Sequence, residues 1–412
     1  MNPNLSINLS LLPSPSDPDL PTGSESLDSL PSLELRTRFL VACNSLLQPT
    51  RSILKNINLK PSFLISSFHW TSDLASEFGI PRFNFGTVSC FTLFVTHQMQ
   101  AHNLIGNGKP DSDPFVIPGL PHRIEFTNAQ LPLMLRKSVG NAGKNARNQS
   151  VRSLDSCDGI LMNTFEDLEF DYCKLYQGIK ENVFCIGPLS SISPVDENHA
   201  CLKWLDSVKE PNSVIYICFG SMARVSSRQL NEIGLGLKRS NQKFIWVVRE
   251  GDFEDGELDF VEDGLNGRGL VVRKWAPQVA ILSHVAVGGF VTHCGWNSVM
   301  EGVCAGVPMV TWPLFAEQFY NEKLVVDVLQ VGVRVGVEVS TEGVDGDEAF
   351  VRKEEVERAV NELMGGGEKG EERRRRAKEL GEAARKAVEV GGSSESNLTL
   401  FIEHVKKKLS DK

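Results

Sequence analysis

The sequence contains no apolar run long enough to cross a membrane, and it has no amino-terminal basic segment followed by an apolar core. A transmembrane helix needs about 20 consecutive, mostly apolar residues, and a secretory signal needs both of the missing parts. These absences argue against a membrane span and against secretion, so we expect a cytoplasmic protein.

An excess of positive charge is missing as well. The chain has 43 Lys and Arg against 52 Asp and Glu, which gives a formal net charge of −9. This balance argues against a nucleic acid or an anionic membrane surface as partner, although it is compatible with a local basic pocket for a diphosphate.

The four consecutive arginines at residues 373–376 are a local exception to this acidic balance. They indicate either a nucleic-acid patch or a solvated helix face. Small apolar residues recur every three or four positions on the same predicted helix; they are Ala377, Leu380, Ala384, Ala387 and Val388. Because glutamates also flank the arginines, the pattern favours a helix that packs its apolar stripe against the rest of the protein and leaves its charged side chains in solvent.

Paired cysteine spacing is absent too. The nine cysteines are scattered, with no C-x-x-C motif and an odd total. This arrangement favours buried, reduced thiols over a disulfide framework, a redox centre or a metal site. We expect no metal.

The length of 412 residues exceeds what one core normally supports, so we expect two domains. Strand-like and helix-like segments alternate along the chain, which is typical of a parallel α/β fold. The predicted division is a first domain over 1–190, a linker over 191–212, a second domain over 213–394 and a terminal helix over 395–412.

Local patterns predict individual elements of the first domain. Residues 7–12 form a short apolar segment before a Pro- and Ser-rich loop and are predicted to be a strand, and residues 62–67 have the composition of a buried strand. Apolar residues recur at helical spacing over 33–59, on both sides of Pro49.

The most informative stretch covers residues 275–318, WAPQVAILSHVAVGGFVTHCGWNSVMEGVCAGVPMVTWPLFAEQ. Its apolar run 285–292 has the length and composition of a buried strand and stops at residues 293–295. A helix is predicted to start there, with Asn297 and Ser298 in its first turn. The free N–H groups and the positive end of such a helix make an anion site.

Other side chains of this stretch suit a nucleotide that carries a sugar. Trp275 offers an indole face to a base, Gln278 offers an amide to hydroxyl groups, and His293 can donate to a phosphate oxygen. Glu317 and Gln318 supply adjacent acceptor and donor groups for a polyhydroxylated ligand. Together they indicate a nucleotide-sugar site.

A second strand end contributes to the same site. Residues 213–219 have the pattern of a buried strand and run into Gly220-Ser221. An α/β fold places its ligand contacts at the carboxyl ends of strands, so Ser221 is a further candidate.

The stretch 275–318 resembles the signature box of plant secondary-product UDP-glycosyltransferases. Its W-A-P-Q start, its H-C-G-W-N-S core, Glu301 and its W-P-L-F-A-E-Q end stand in register with that box, and its 44 residues match the length of the box. The resemblance covers most of the chain. It implies an α/β fold of GT-B type, with two Rossmann-like doubly wound domains that face a cleft, the first of them incomplete.

The resemblance also implies an activity. The chain would be an inverting transferase that moves glucose from UDP-glucose to a hydroxyl of a small lipophilic metabolite, such as a flavonoid, a phenolic, a terpenoid or a hormone. The final Gln318 favours glucose as the sugar. A monomer is expected, with no cofactor or metal besides the donor substrate. Asp345-Gly346-Asp347 superficially suggests the D-x-D metal motif of a different glycosyltransferase class, but a solvated acidic turn is the favoured interpretation.

By this resemblance, each part of the donor has its own residues. Uracil is assigned to Trp275 and Ala276, ribose to Gln278 and Glu301, the diphosphate to Ser221, His293, Asn297 and Ser298, and the sugar to Trp296, Glu317 and Gln318, while Gly295 belongs to the same donor-binding set.

The catalytic base stays unknown. Inversion requires a base that takes the proton of the acceptor hydroxyl, and in the family this base is a His in a Gly-His turn after the first strand, oriented by an Asp. The chain has no Gly-His pair near its start, and Ser67 stands at the Asp position. His69, just beyond a predicted strand end, is either a replacement base or a packed or exposed histidine.

Two functions therefore stay open on the sequence alone. One is an active transferase, and the other is a UDP-sugar-binding pseudoenzyme or an inactive truncated fragment that lacks the catalytic base. By the same resemblance, the incomplete first domain lacks its first strand, which is central in a doubly wound sheet. Such a domain must pair its other strands directly, recruit another segment or leave an apolar edge exposed.

Overall fold

The computed structural model describes residues 7–30, 32–105, 110–136, 151–189, 199–249, 267–341 and 349–410. The chain divides into two compact units. The first unit comprises residues 1–85, 148–160 and 402–412, and the second comprises residues 86–147 and 161–401.

The strands of the described residues form three sheets. The strands are β1 (Leu64–Ile65), β2 (Arg82–Gly86), β3 (Phe115–Val116), β4 (Glu125–Phe126), β5 (Gly159–Met162), β6 (Val183–Cys185), β7 (Val214–Cys218), β8 (Lys243–Val247), β9 (Gly269–Val272), β10 (Val287–Thr292), β11 (Met309–Thr311) and β12 (Gly332–Arg334). Six of them form a parallel sheet of order β12-β11-β10-β7-β8-β9. Four more form a sheet of order β1-β2-β5-β6, and β3 and β4 pair antiparallel.

Helices connect most of these strands. The α-helices are α1 (Leu33–Ala42), α2 (Leu47–Asn56), α3 (Thr71–Phe78), α4 (Cys90–Ala101), α5 (Phe170–Ile179), α6 (Ala200–Asp206), α7 (Ser227–Ser240), α8 (Gln278–Leu282), α9 (Trp296–Ala305), α10 (Gln318–Lys323), α11 (Lys353–Met364), α12 (Glu368–Val388) and α13 (Ser393–Ser410). Short 3-10 turns lie at Leu27–Ser29, Cys43–Leu46, Asn128–Gln130 and Leu133–Leu135, and a π-helical turn lies at Leu324–Val328. Among the helices so described, none has the length and apolar character needed to cross a bilayer.

The six-stranded sheet is doubly wound. From β7 the chain proceeds outward through β8 and β9, and from β10 it proceeds outward in the other direction through β11 and β12. All six residues of β10 are buried, as expected for a central strand covered by helices on both faces. The winding reverses between β7 and β10, and such a switch point is where open α/β sheets bind ligands.

The strand predicted for residues 7–12 is wrong. These residues form no strand, and the side chains of Ile7, Leu9 and Leu11 are at least 84% exposed. A strand needs a neighbour for its N–H and C=O groups, and none of the strands in the described ranges pairs with this segment.

The strand predicted for residues 62–67 forms over the two residues of β1, but its buried character is wrong. β1 is the edge strand of its sheet, and the side chain of Ile65 is 43% exposed. An exposed apolar edge is one of the three outcomes expected for a first domain that lacks its central strand. The helical pattern over 33–59 forms α1 and α2, and Pro49 lies in the first turn of α2, where its missing N–H costs little.

The arginines at 373–376 lie on α12, which also carries their acidic partners. Arg375 and Arg376 both pair with Glu372, and Ala377 is buried in the predicted stripe. The interpretation as a solvated face holds for Arg375 and Arg376, whereas the side chain of Arg373 is only 12% exposed and donates to the Glu362 carbonyl. Val388 was wrongly placed in the stripe, because it is the last residue of the helix and is half exposed.

Two predictions lie partly or wholly outside the described residues. They are the first part of the linker, residues 191–198, and the acidic triplet 345–347. The division into a first domain, a linker and a second domain stays a prediction.

Candidate sugar-nucleotide site

The carboxyl ends of β7 and β10 lie side by side at the switch point. The strands are parallel neighbours, with Cys218 opposite Thr292. Gly220 and Ser221 follow β7, and His293 follows β10. The fold therefore brings two predicted donor-binding residues, Ser221 and His293, to the same edge of the sheet.

Two glycines enclose the imidazole of His293. A Cβ at Gly220 would lie 2.6 Å from Cε1 of His293, and a Cβ at Gly295 would overlap its Nε2. Burial lowers the pKa of His293 to about 4. The ring is therefore neutral at physiological pH, and it offers one N–H donor and one acceptor. Its Nδ1 atom is buried and has no hydrogen-bond partner in the described part of the chain, so no described group fixes the tautomer.

The turn between β10 and α9 is held in an unusual conformation. Cys294 has a φ of 64°, in the left-handed region that non-glycine residues rarely adopt. Its carbonyl oxygen accepts a 2.9 Å hydrogen bond from Nδ2 of Asn321, and its N–H donates to Oγ1 of Thr292 at 3.2 Å. Both partners are fully buried. Asn321 was not predicted, because nothing in the sequence spacing links α10 to this turn.

The amino terminus of α9 faces the same edge. Gly295 is the N-cap, so no capping side chain occupies the first amides, and the first helical bond runs from Val299 N–H to the Gly295 carbonyl. The N–H groups of Trp296, Asn297 and Ser298 therefore have no partner within the helix. The side chain of Asn297 is exposed beside them. Unpaired N–H groups at the amino terminus of a helix are the chemistry of an anion site, and the binding of an anion here stays a prediction.

Gln278, the first residue of α8, contacts two other predicted residues, Glu301 and Ser298, and forms one cluster with them. Its Nε2 donates to Oε2 of Glu301 at 2.6 Å and to Oγ of Ser298 at 3.2 Å. Its Oε1 accepts from the hydroxyl of Tyr216, also at 3.2 Å. Burial raises the pKa of Glu301, while the hydrogen bond from Gln278 opposes the rise. Tyr216 was not predicted, since in the sequence it is one apolar residue of a strand.

Trp275 presents an exposed indole. Its side chain is 71% exposed and stands perpendicular to the imidazole of His199, with the ring centroids 6.4 Å apart. The neighbouring Ala276 is buried, and its carbonyl accepts a 2.8 Å bond from the N–H of Gln278. An exposed indole next to a buried, hydrogen-bonded backbone is a surface on which a base can stack.

Two residues assigned to the sugar are tied into the fold by their side chains. The indole of Trp296 is buried, and its N–H donates to the Asn163 carbonyl at 2.8 Å. The buried Gln318 uses its Oε1 to accept from the N–H groups of Leu314 and Phe315, at 2.8 and 3.0 Å. These bonds leave the backbone N–H of Trp296 and the amide nitrogen of Gln318 as the groups that can serve a ligand.

Ser221 and Glu317 lie at the ends of elements. Ser221 is exposed, and its carbonyl accepts from the guanidinium of Arg249. Glu317 is half-buried and immediately precedes α10. Neither side chain takes part in the cluster around Gln278.

The two residues considered for the catalytic step lie in the first unit. The hydroxyl of Ser67 donates to the Phe85 carbonyl at 2.8 Å. Burial lowers the pKa of His69, the nearby charge of Asp73 opposes this, and that of Arg82 adds to it. A neutral imidazole can accept a proton, so this environment is compatible with a base.

One group among the described residues could hold a metal ion. The sulfur atoms of Cys90, Cys173 and Cys185 lie within 4.8 Å of one another, and all three residues are fully buried. Three thiols of this kind suit a soft metal. Sequence spacing gave no sign of the group, because its members come from α4, α5 and β6. None of the three belongs to the sugar-nucleotide site.

The doubly wound sheet, the free amides of α9, the exposed indole and the amide–carboxylate cluster together define an enzyme that uses a sugar nucleotide. Comparisons with known proteins agree. The sequence profile of the family described as "UDP-glucoronosyl and UDP-glucosyl transferase" matches residues 160–354.

Individual relatives match far more of the chain. UDP-glycosyltransferase 73C3 of Arabidopsis thaliana is 42% identical over 410 residues, covering 94% of this chain and 82% of the relative. The anthocyanin 3'-O-beta-glucosyltransferase of Gentiana triflora is 42% identical over 407 residues, covering 93% and 83%. The crystal structure of Glycyrrhiza uralensis UGT73P12, complexed with glycyrrhetinic acid 3-O-monoglucuronide, superposes with a TM-score of 0.89 at 37% identity, covering 98% and 85%.

The chain belongs to the plant UDP-glycosyltransferase family. The predicted family, the predicted GT-B fold and the predicted enzyme class are thereby confirmed.

Proposed function

We propose that this enzyme transfers glucose from UDP-glucose to a hydroxyl group of a small lipophilic metabolite, with inversion at the anomeric carbon. The observation that carries the proposal is the contact of Gln278 with Ser298 and Glu301 of α9, the helix that begins at the switch point of the second unit, with the exposed Trp275 three residues before Gln278. The glucosyl group and the metabolite class are supported by the Gentiana relative, which is named for an anthocyanin acceptor.

Each part of the donor finds a group of matching chemistry. Uracil stacks on Trp275, and the ribose hydroxyls donate to the carboxylate of Glu301. The diphosphate oxygens accept hydrogen bonds from the free backbone N–H groups of α9. The neutral His293 donates one hydrogen bond to the same diphosphate. The amide nitrogen of Gln318 serves the hydroxyls of the sugar.

The transfer makes one bond and breaks one. The acceptor oxygen attacks the anomeric carbon, and the bond from that carbon to the phosphate oxygen breaks, so negative charge develops on UDP. The positive end of α9 and the His293 N–H stabilise that charge. A base must take the acceptor proton, and His69 is the candidate for this role. A monomeric state and a cytoplasmic location also belong to the proposal.

The test is a pair of measurements on the purified chain. Calorimetry with UDP-glucose measures binding, and incubation with flavonoid, phenolic and terpenoid acceptors measures transfer. Glu301→Ala should abolish donor binding, whereas the control Glu354→Ala removes an exposed carboxylate of α11 and should bind normally.

Three outcomes decide the proposal. Binding with transfer supports it, and His69→Ala should then stop turnover without weakening donor binding. Binding without transfer to any acceptor would favour the pseudoenzyme instead. No binding of UDP-glucose would refute both functions.

A further inference from the structure

The hydroxyl of Tyr216 lies beneath the cluster around Gln278. Tyr216 is the third residue of β7 and is only 1% exposed. Its ring stacks on Phe290 of the neighbouring β10, with centroids 5.4 Å apart and planes 24° from parallel. Packing on both strands fixes the ring, so the hydroxyl is a rigid feature of the sheet.

The hydroxyl acts as a donor towards Gln278. Burial raises the pKa of Tyr216 well above its ordinary value, which keeps the group protonated. The hydroxyl oxygen lies 3.2 Å from Oε1 of Gln278. The thiol of Cys218 also lies beside this hydroxyl, and a thiol is a weaker acceptor than an amide oxygen.

The carboxamide of Gln278 is held at both ends. Its oxygen accepts from Tyr216, and its nitrogen donates to Glu301 and Ser298. The reverse orientation would place the amide oxygen against the Glu301 carboxylate, with two acceptors facing each other. The two contacts therefore select one orientation, in which the amide steadies the carboxylate.

Ligand binding changes the balance between these contacts. Ribose hydroxyls that donate to Glu301 compete with the Gln278 nitrogen for the same carboxylate oxygens. Once that bond is shared, the bond from Tyr216 is the restraint on the amide oxygen, and the bond to Ser298 is the remaining restraint on the amide nitrogen. A restrained amide keeps the carboxylate pre-organised for the ribose, and pre-organisation lowers the cost of binding.

The geometry points to Tyr216 as a positioning residue that acts through Gln278 on the Glu301 carboxylate and thereby sets the preference for a complete ribose. The inference rests on the proposed function and deepens it. Tyr216 itself touches no part of the donor, and its effect reaches the ribose only through the amide.

The test compares UDP with 2'-deoxy-UDP and 3'-deoxy-UDP by calorimetry. The proteins are the unmodified chain, Tyr216→Phe, Gln278→Ala and the double variant. Tyr172→Phe is the matched control, because it removes another buried tyrosine hydroxyl, one that lies 3.1 Å from Nδ1 of His122. Tyr216→Phe keeps the ring and its packing, and thermal melting checks that each variant is folded.

We expect Tyr216→Phe to weaken UDP binding about tenfold, the effect of one net hydrogen bond. Binding of at least one deoxy analogue should change little, so the preference for UDP over that analogue falls. In turnover, the KM for UDP-glucose should rise while kcat is preserved. In the double variant the tyrosine change should have no further effect, because the two residues act in series. Tyr172→Phe should bind all three nucleotides normally.

Several results would overturn the inference while leaving the proposed function intact. These are unchanged UDP affinity in Tyr216→Phe, an equal loss for UDP and both deoxy analogues, or full additivity with Gln278→Ala. If the unmodified chain binds no UDP, the proposed function itself fails, and the inference fails with it.

Discussion

Replacing Gly220 by alanine tests whether the enclosed imidazole of His293 is needed for donor binding. Gly220 has a φ of 74°, and its missing side chain makes room for the His293 ring. The substitution therefore introduces two separate costs, one in the backbone and one in packing.

Each cost has a magnitude. An L-residue with a side chain in the left-handed region costs about 1–2 kcal/mol. The new Cβ would lie 2.6 Å from Cε1 and 2.8 Å from Nε2 of His293, well inside van der Waals contact, and overpacking of this kind costs about 1–3 kcal/mol. The ring is the mobile partner, so we expect it to turn away from the sheet edge and remove one donor from the diphosphate.

The assay combines urea denaturation with calorimetric titration of UDP. Gly391→Ala is the control, since Gly391 has a similar φ of 84° and no atom lies within 4 Å of the added Cβ. It should lose about 1–2 kcal/mol from backbone strain alone and bind UDP normally. Gly220→Ala should lose about 1–3 kcal/mol more than the control and bind UDP about tenfold more weakly. If both variants are equally stable and bind UDP equally well, the enclosed ring has no role in the site.

Three further predictions concern other parts of the second unit. Trp275→Ala should weaken UDP binding about tenfold by loss of stacking, with unchanged stability because the side chain is 71% exposed. Asn321→Ala should lower the free energy of unfolding by about 1–3 kcal/mol, because it leaves the buried carbonyl of Cys294 without its donor. Burial raises the pKa of Glu169 to about 7 in the folded state, above its unfolded value, so the folded protein holds the proton more tightly. Stability should therefore fall as pH rises from about 4.5 to about 7, by about 3 kcal/mol at most, and Glu169→Gln should flatten this slope in urea titrations.

Each of these predictions has a contradicting result. Full UDP affinity in Trp275→Ala would show that uracil does not stack on this indole. Unchanged unfolding of Asn321→Ala would mean that the turn at Cys294 supports itself. A pH slope that is the same with and without Glu169→Gln would assign the slope to other carboxyl groups.

The parts of the site that lie in one local stretch were predictable from sequence. The apolar run that becomes β10, the turn after it and the first turn of α9 are contiguous, and their chemistry depends on short-range geometry. The amide–carboxylate contact of Gln278 with Glu301 also spans only two elements of the same stretch.

The contacts between elements that are far apart in sequence were not predictable. Tyr216 meets Gln278 across 62 positions and Asn321 meets Cys294 across 27, and both depend on strand order and helix placement. The strand predicted for residues 7–12 is wrong for a related reason, because an apolar segment becomes a strand only where another strand pairs with it. A single strand pattern carries no information about its neighbours.

The three buried thiols of the second unit provide a reporter of motion. Cys90 is the first residue of α4, Cys173 lies within α5 and Cys185 is the last residue of β6. None of them is exposed in the folded protein. A thiol reacts with an alkylating reagent only when solvent reaches it, so the labelling rates of these cysteines measure how often each element opens. Equal rates at all three would show one cooperative opening, whereas unequal rates would show which element separates first.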